Sequence, residues 1–261
     1  MAFPIHDLDP EEDSILVAQG LTKEFKGFFA VKDVSLKVRR GSIHALIGPN
    51  GAGKTTCFNL LTKFLTPTRG TILFRGQDIT RTAPAQIARM GLVRSFQISS
   101  VFSQLSVLEN VRIALQRPRG LATQFWLPTS RLRVLNARAR ELIHAVGLDE
   151  YENTSAAELS YGRKRALEIA TTLALEPEVL LLDEPMAGMA SEDIALISDL
   201  IRTVAEGRTV LMVEHNLNVV ADLCDHVTVL QRGEVLAEGT YAGISANPEV
   251  RVAYLGSEDD A

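Results

Sequence analysis

The run Gly48-Pro49-Asn50-Gly51-Ala52-Gly53-Lys54-Thr55 constrains the fold more than any other part of the chain. It follows the apolar stretch IHALI and opens TTCFNLLTKFL, so a strand is predicted to pass through a glycine-rich loop into a helix from Lys54 to about Leu65. Glycines let the main chain approach a ligand with no side chain in the way, and N–H groups at a helix N-terminus carry partial positive charge outward. That order of elements makes a cradle for phosphate. Lys54 is expected to contact the β- and γ-phosphates of a nucleotide and Thr55 to set its hydroxyl on Mg2+. Gly48, Asn50, Gly51, Ala52, Gly53 and Thr56 complete the expected nucleotide-binding set. A chance glycine-rich turn is the alternative, and at ordinary glycine frequencies it arises on the order of once per hundred such chains.

A second anchor is Val179-Leu180-Leu181-Leu182, a buried-strand pattern that ends on two adjacent acids, Asp183 and Glu184. Side chains alternate along a strand, so one acid is expected to face a metal and the other an attacking water. Asp183 takes the metal role and Glu184 that of general base or water-orienting group. An isolated Asp-Glu at a strand end is more often a solvated turn; the phosphate loop earlier in the chain reverses that weighting.

Between Ile15 and Phe74 the β-rich runs are SILVAQGL, AVKDVSLKV, SIHALIG and GTILFRG. From about Ser99 to Thr172 helical periods replace them, in VLENVRIAL, RVLNARARELIHAVGL and YGRKRALEIATTLAL. After Glu176 come strand VLLLD, helix SEDIALISDLIRTVA, strand RTVLMVE, helix LNVVADLC and two short strands around Gln231-Arg232-Gly233. Strands alternating with helices imply parallel strands joined by crossovers. The predicted fold is therefore α/β: a P-loop NTPase core with a mostly parallel sheet, an N-terminal antiparallel β subdomain and a helical subdomain inserted at about 99–172. Residues 116–133 read as a loop within that insert. Residues 1–14 are expected to be a flexible acidic arm and 257–261 an acidic tail around one domain at 15–256.

Composition removes several classes. A formal net charge of -5 disfavours a strongly cationic nucleic-acid binder. Two cysteines, Cys57 and Cys224, build neither a disulfide framework nor a zinc cluster. The N-terminus MAFPIHDLDPEEDS has no cationic start followed by an apolar core, so no leader is expected. The apolar runs fall well short of the roughly 20 residues a spanning helix needs. Any membrane association is expected to go through a partner.

Leu159-Ser160-Tyr161-Gly162-Arg163 lies ahead of a long helical pattern and about 20 residues before the acids. With it, the chain resembles the ABC transporter ATPase family over nearly its whole length. The resemblance implies that Ser160, Tyr161, Gly162 and Arg163 of one subunit close over the γ-phosphate of ATP held by the phosphate loop of another. A hydroxyl, a position without a Cβ and a helix N-terminus suit that role. It also implies that Phe25, in LTKEFKG, stacks on adenine, and that Gln97, in VRSFQ, reaches Mg2+ beside Thr55 and Asp183. His215, in MVEHN, contacts the γ-phosphate and joins Glu184 as a catalytic residue. Tyr161 and Arg163 stand where the family most often has glycine and glutamine, and Ala190 where Asp or Asn is usual.

Within the family, GPNGAGKTTCFNLLT, IARMGLVRSFQ, LSYGRKRALEIA, DEPMAGM, VEHNLNVV and NPEVRVAYLG resemble the larger ATPase subunit of branched-chain amino-acid importers. That resemblance implies ATP and Mg2+ as cofactors and a second ATPase subunit, identical or different. It further implies two transmembrane permeases, a periplasmic solute-binding protein acting indirectly, no nucleic acid, and a place on the cytoplasmic face of the inner membrane. A groove around Ile98 to Leu108 is expected to receive a permease helix. Importers of urea, amides or aromatic acids are the alternative. A soluble ABC ATPase acting on ribosomes or DNA would usually show tandem domains or a long coiled coil. A regulatory subunit with vestigial hydrolysis is the third reading, raised by Ala190 and Arg163.

Overall fold

Alternating burial runs along the two longest strands, β1 (Ser14–Phe25) and β2 (Phe28–Arg39), and turns one face of each into a core. They belong to a computed structural model that describes residues 13–95, 101–116 and 129–255. The chain continues through β3 (Ile43–Ile47), α1 (Lys54–Leu61), β4 (Arg69–Phe74), β5 (Gln77–Asp78), α2 (Pro84–Arg89) and β6 (Leu92–Arg94). Next come α3 (Val107–Gln116), α4 (Asn136–Ala145), α5 (Tyr161–Leu173), β7 (Val179–Asp183), α6 (Ser191–Ala205), β8 (Thr209–Val213) and α7 (Leu217–Leu223). Strands β9 (His226–Gln231) and β10 (Glu234–Gly239) and helices α8 (Tyr241–Ala246) and α9 (Pro248–Leu255) close it. Two compact units result, Met1–Pro84 with Cys224–Ala261, and Ala85–Leu223.

In the first unit the strand order β2-β1-β4-β5 is antiparallel throughout. Lys26-Gly27 and Arg75-Gly76 join neighbouring strands with positive φ at both turn residues, which matches the right-handed twist of the flanking strands. Leu16, Leu21, Val34, Leu36, Ile72 and Phe74 fill the inner face. Strand β3 pairs in parallel with β9, and β9 turns through Arg232-Gly233 into antiparallel β10. Helices α8 and α9 pack on β10 and on each other. Every residue of β3 is buried, as a parallel strand covered on both faces requires. The Cys57 thiol in α1 lies in this core, where burial pushes its pKa up to about 12; Cys224 is half-buried.

The second unit carries β6, β7 and β8 in parallel, with β7 in the middle. All residues of β7 and β8 are buried. Helices α3, α4 and α5 pack together, and α6 packs against α5 and α7. A capping box starts α3: Ser106 Oγ accepts from Glu109 N–H at 3.2 Å while Glu109 Oε2 accepts from Ser106 N–H at 2.9 Å. Donation from Ser106 N–H, and from the Ser106 hydroxyl at 3.0 Å, holds the Glu109 carboxyl below the usual carboxylate range.

The predicted spans of β7 and α6 coincide with the observed ones. Helix α1 stops at Leu61 instead of about Leu65, because Lys63 turns left-handed at φ 64° and its ammonium reaches the Thr80 carbonyl. Helices and parallel strands share the unit Ala85–Leu223. Gln116 ends α3 and Thr129–Leu135 forms a 3-10 turn; between them the chain lies outside the described residues. Ser14 is paired with Arg39 in β1, so the arm expected at 1–14 gives up its last residue to the sheet. Among the described residues no helix is long and apolar enough to cross a membrane.

Candidate active site

The phosphate loop leaves the buried end of β3 at Gly48, whose φ is 150°. A Cβ there would sit 2.2 Å from the Leu230 carbonyl oxygen of β9, so the loop starts flush against its neighbour strand. The β9–β10 turn holds its other side, with Gly233 N–H donating to Ala52 O at 3.0 Å. From α9, Tyr254 lies half-buried, and burial pushes its phenol up to about 12. Lys54, the first residue of α1, is 8% exposed and donates Nζ–H to Gly48 O at 2.6 Å and Pro49 O at 3.0 Å. Its charge is thereby folded over the loop. Asn50, Gly51 and Thr55 are exposed and Thr56 half-buried. Among the described residues no side chain caps α1 at Gly53 and no acid lies in its first turn, leaving the helix N-terminus open to an anion. Phe25 ends β1 with its ring 44% exposed and Lys23 Nζ 5.1 Å from its centroid, as a surface suited to stacking.

The second unit builds the acidic side. Asp183 closes β7 at 2% exposure, and its Oδ2 accepts from Arg94 Nη2. Its carbonyl accepts from Arg165 Nη2 at 3.2 Å, while Arg165 Nη1 pairs with Glu168 Oε2 at 2.7 Å. Glu184 corrects the reasoning that separated the two acids. It lies beyond the strand, half-buried, at a left-handed φ of 44°, with its N–H on Val213 O at 3.0 Å. Because β7 ends at Asp183 and the backbone turns left-handed at Glu184, strand alternation does not govern the Glu184 side chain. A non-glycine residue held there carries strain on the order of 1 kcal/mol, of the kind that collects at functional sites.

Sequence reasoning missed Glu214. This fully buried acid accepts from Met186 N–H at 3.1 Å through Oε1, and from His215 and Asn216 N–H at 3.0 and 3.2 Å through Oε2. It ties the backbone after Glu184 to the exposed His215. The signal was available, since Glu214 directly follows the apolar strand β8, as Glu184 follows β7.

Ser160 caps α5 by accepting from Arg163 N–H, and its side chain is exposed. Tyr161 donates its hydroxyl to Ala187 O at 3.1 Å, and Arg163 lies over the Tyr151 ring at 4.3 Å. Gly162 is buried, and a Cβ on it would meet Asp193 Oδ1 of α6 at 2.4 Å. A side chain at 162 would therefore have to displace the Asp193 carboxylate, a contact that the motif did not suggest. Gln97 lies outside the described residues, as does the start of the groove expected at Ile98 to Leu108. Its described end exposes Phe102 beside a cavity of about 280 Å³ lined by Val93, Arg94, Asn110, Ile113, Glu168 and Thr172 among others.

A family model described as ABC transporter matches residues 31–187, and one described as branched-chain amino acid ATP-binding cassette transporter matches residues 234–260. The high-affinity branched-chain amino acid transport ATP-binding protein LivG of Salmonella typhimurium is 40% identical over 250 residues, covering 93% of this chain and 98% of that protein. BraF of Pseudomonas aeruginosa, of the same description, is 40% identical over 249 residues with the same coverage. The crystal structure of a nucleotide-free ATP-binding cassette from an ABC transporter has a TM-score of 0.81 and 31% identity, covering 92% of this chain and 98% of that one. With these relatives and the α/β cassette fold described above, the chain belongs to the ABC transporter family of ATP-binding proteins, whose members are ATPases.

Proposed function

We propose that this chain is the ATP-hydrolysing subunit of an importer of branched-chain or related hydrophobic amino acids. The observation that carries the reading is 40% identity over nearly the whole chain to LivG and BraF, whose names give that transport role, together with the match of residues 234–260.

The loop amides and Lys54 bind the polyphosphate of ATP, and Phe25 stacks on the base. Leaving its two carbonyl partners for phosphate oxygens costs Lys54 little, since neutral acceptors are exchanged for charged ones. The donor set fits magnesium: one buried carboxylate, Asp183, an exposed hydroxyl, Thr55, and the expected amide of Gln97, with phosphate oxygens and water to supply the rest. When bound, the ion neutralises charge on the phosphates. Glu184 takes a proton from the water whose oxygen attacks the γ-phosphorus, and the β–γ bridging oxygen leaves with ADP. His215 steadies the γ-phosphate, and Glu214 fixes the backbone on both sides. Ser160 and Arg163, exposed at the head of α5, face the ATP of a second ATPase subunit, of the same or another kind. Phe102 and the cavity beside it suit a permease helix, which would place the chain at the cytoplasmic face of a membrane.

Co-expression with candidate permeases and binding protein, followed by reconstitution in vesicles, tests this. ATP turnover is expected to rise when leucine-loaded binding protein is added outside. Stimulation by urea-, amide- or aromatic-acid-loaded protein instead would move the chain to the neighbouring substrate class.

A further inference from the structure

Asp183 is a carboxylate almost without water, and such a group needs a cation or strong donors at its oxygens. Arg94 supplies them. It ends β6, which is paired in parallel with β7, and at 12% exposure it puts Nη2 on Asp183 Oδ2. Arg165 is also deep but plays a different part: its charge is matched by Glu168, and its contact with Asp183 is to the main-chain oxygen. One arginine therefore fixes the end of β7, and the other is spent on the carboxylate itself.

A divalent cation at Asp183 would offer the same carboxylate the compensation that the Arg94 guanidinium now offers. We propose that Arg94 is an internal counter-ion that competes with magnesium for Asp183 and so sets the metal concentration to which the site responds. The displaced guanidinium has somewhere to go, because the cavity of about 280 Å³ is lined by Arg94 together with the polar Asn110, Glu168 and Thr172. The inference rests on the assignment of Asp183 as the metal carboxylate, and its test separates the two.

Mn2+ binding to the purified full-length chain in the presence of ATP, read by electron paramagnetic resonance, reports the metal without reference to turnover. R94M is expected to lower the half-saturating Mn2+ concentration about tenfold, as the loss of a partly buried competing ion pair implies. R94K keeps the charge and is expected to stay close to wild type. D183N is expected to lose most of the binding. Unchanged or weaker Mn2+ binding in R94M, with loss in D183N, overturns the counter-ion role and leaves the metal assignment standing. Unchanged binding in D183N overturns the assignment and the inference with it. Should R94M not fold, R94Q is read against the same outcomes.

Discussion

Replacing Gly48 by alanine probes how tightly the phosphate loop is fitted to its neighbours. The added Cβ would lie 2.2 Å from Leu230 O, more than 1 Å inside ordinary contact; the oxygen is backbone and the Cβ position is fixed by backbone, so no side-chain rotation relieves the clash. Forcing β9 or the loop aside is an overpacking change of about 1–3 kcal/mol. The φ of 150° adds strain of about 1–2 kcal/mol for a residue with a Cβ. G51A is the control: φ is 76°, yet nothing lies within 4 Å of the added atom, so the left-handed penalty of about 1–2 kcal/mol stands without a clash. Urea denaturation followed by far-UV circular dichroism, without nucleotide, should place G48A about 1–3 kcal/mol below G51A. ATP binding, followed with a fluorescent analogue, should be lost in G48A because the amides of the cradle shift with the strand. If the two variants are equally stable, the idea that β9 fixes the loop is wrong.

Other expectations concern the acids and a buried histidine. E184Q should keep ATP binding and lose about 10²–10⁴ in turnover, measured by phosphate release; wild-type turnover would remove Glu184 from its role. E214A strands the buried N–H groups of Met186, His215 and Asn216 and should cost about 3 kcal/mol or more in urea, whereas E214Q, whose amide oxygen still accepts, should cost less. His44 has a pKa lowered to about 3, by burial first and then by His226 and Arg39. Its unfolded form takes a proton below about 6.5 and its folded form does not, so this contribution is complete above that pH and declines as pH falls toward 3. Denaturation midpoints at neutral and mildly acid pH should differ less in H44Q than in wild type.

What could be read in advance was what local pattern encodes. Val179–Asp183 and Ser191–Ala205 stood out because one is uniformly apolar and short, and the other carries a helical period with acids in its first turn. Short helices were missed although their start signals are present: Thr240 caps α8, and Asn247-Pro248 opens α9 with Asn247 Oδ1 accepting from Glu249 N–H at 2.9 Å. Partnerships across many residues were not legible. Arg94 with Asp183, Gly233 with Ala52 and Glu214 with Met186 follow from how strands are laid side by side, and neither periodicity nor spacing specifies that. The phosphate loop was found by its motif, but the reason it cannot shift lies in β9, roughly 180 residues further along the chain.

That distance has a consequence for synthesis. The cradle is encoded near the start, yet the parallel partner of β3 and the turn that holds Ala52 emerge from the ribosome only after residue 226. A nascent chain therefore carries a phosphate loop without its wall for most of translation, and closing so long a loop is slow. Competence to take up ATP is expected to arrive late and all at once, so that stalled or prematurely ended chains stay inert instead of becoming half-built ATPases.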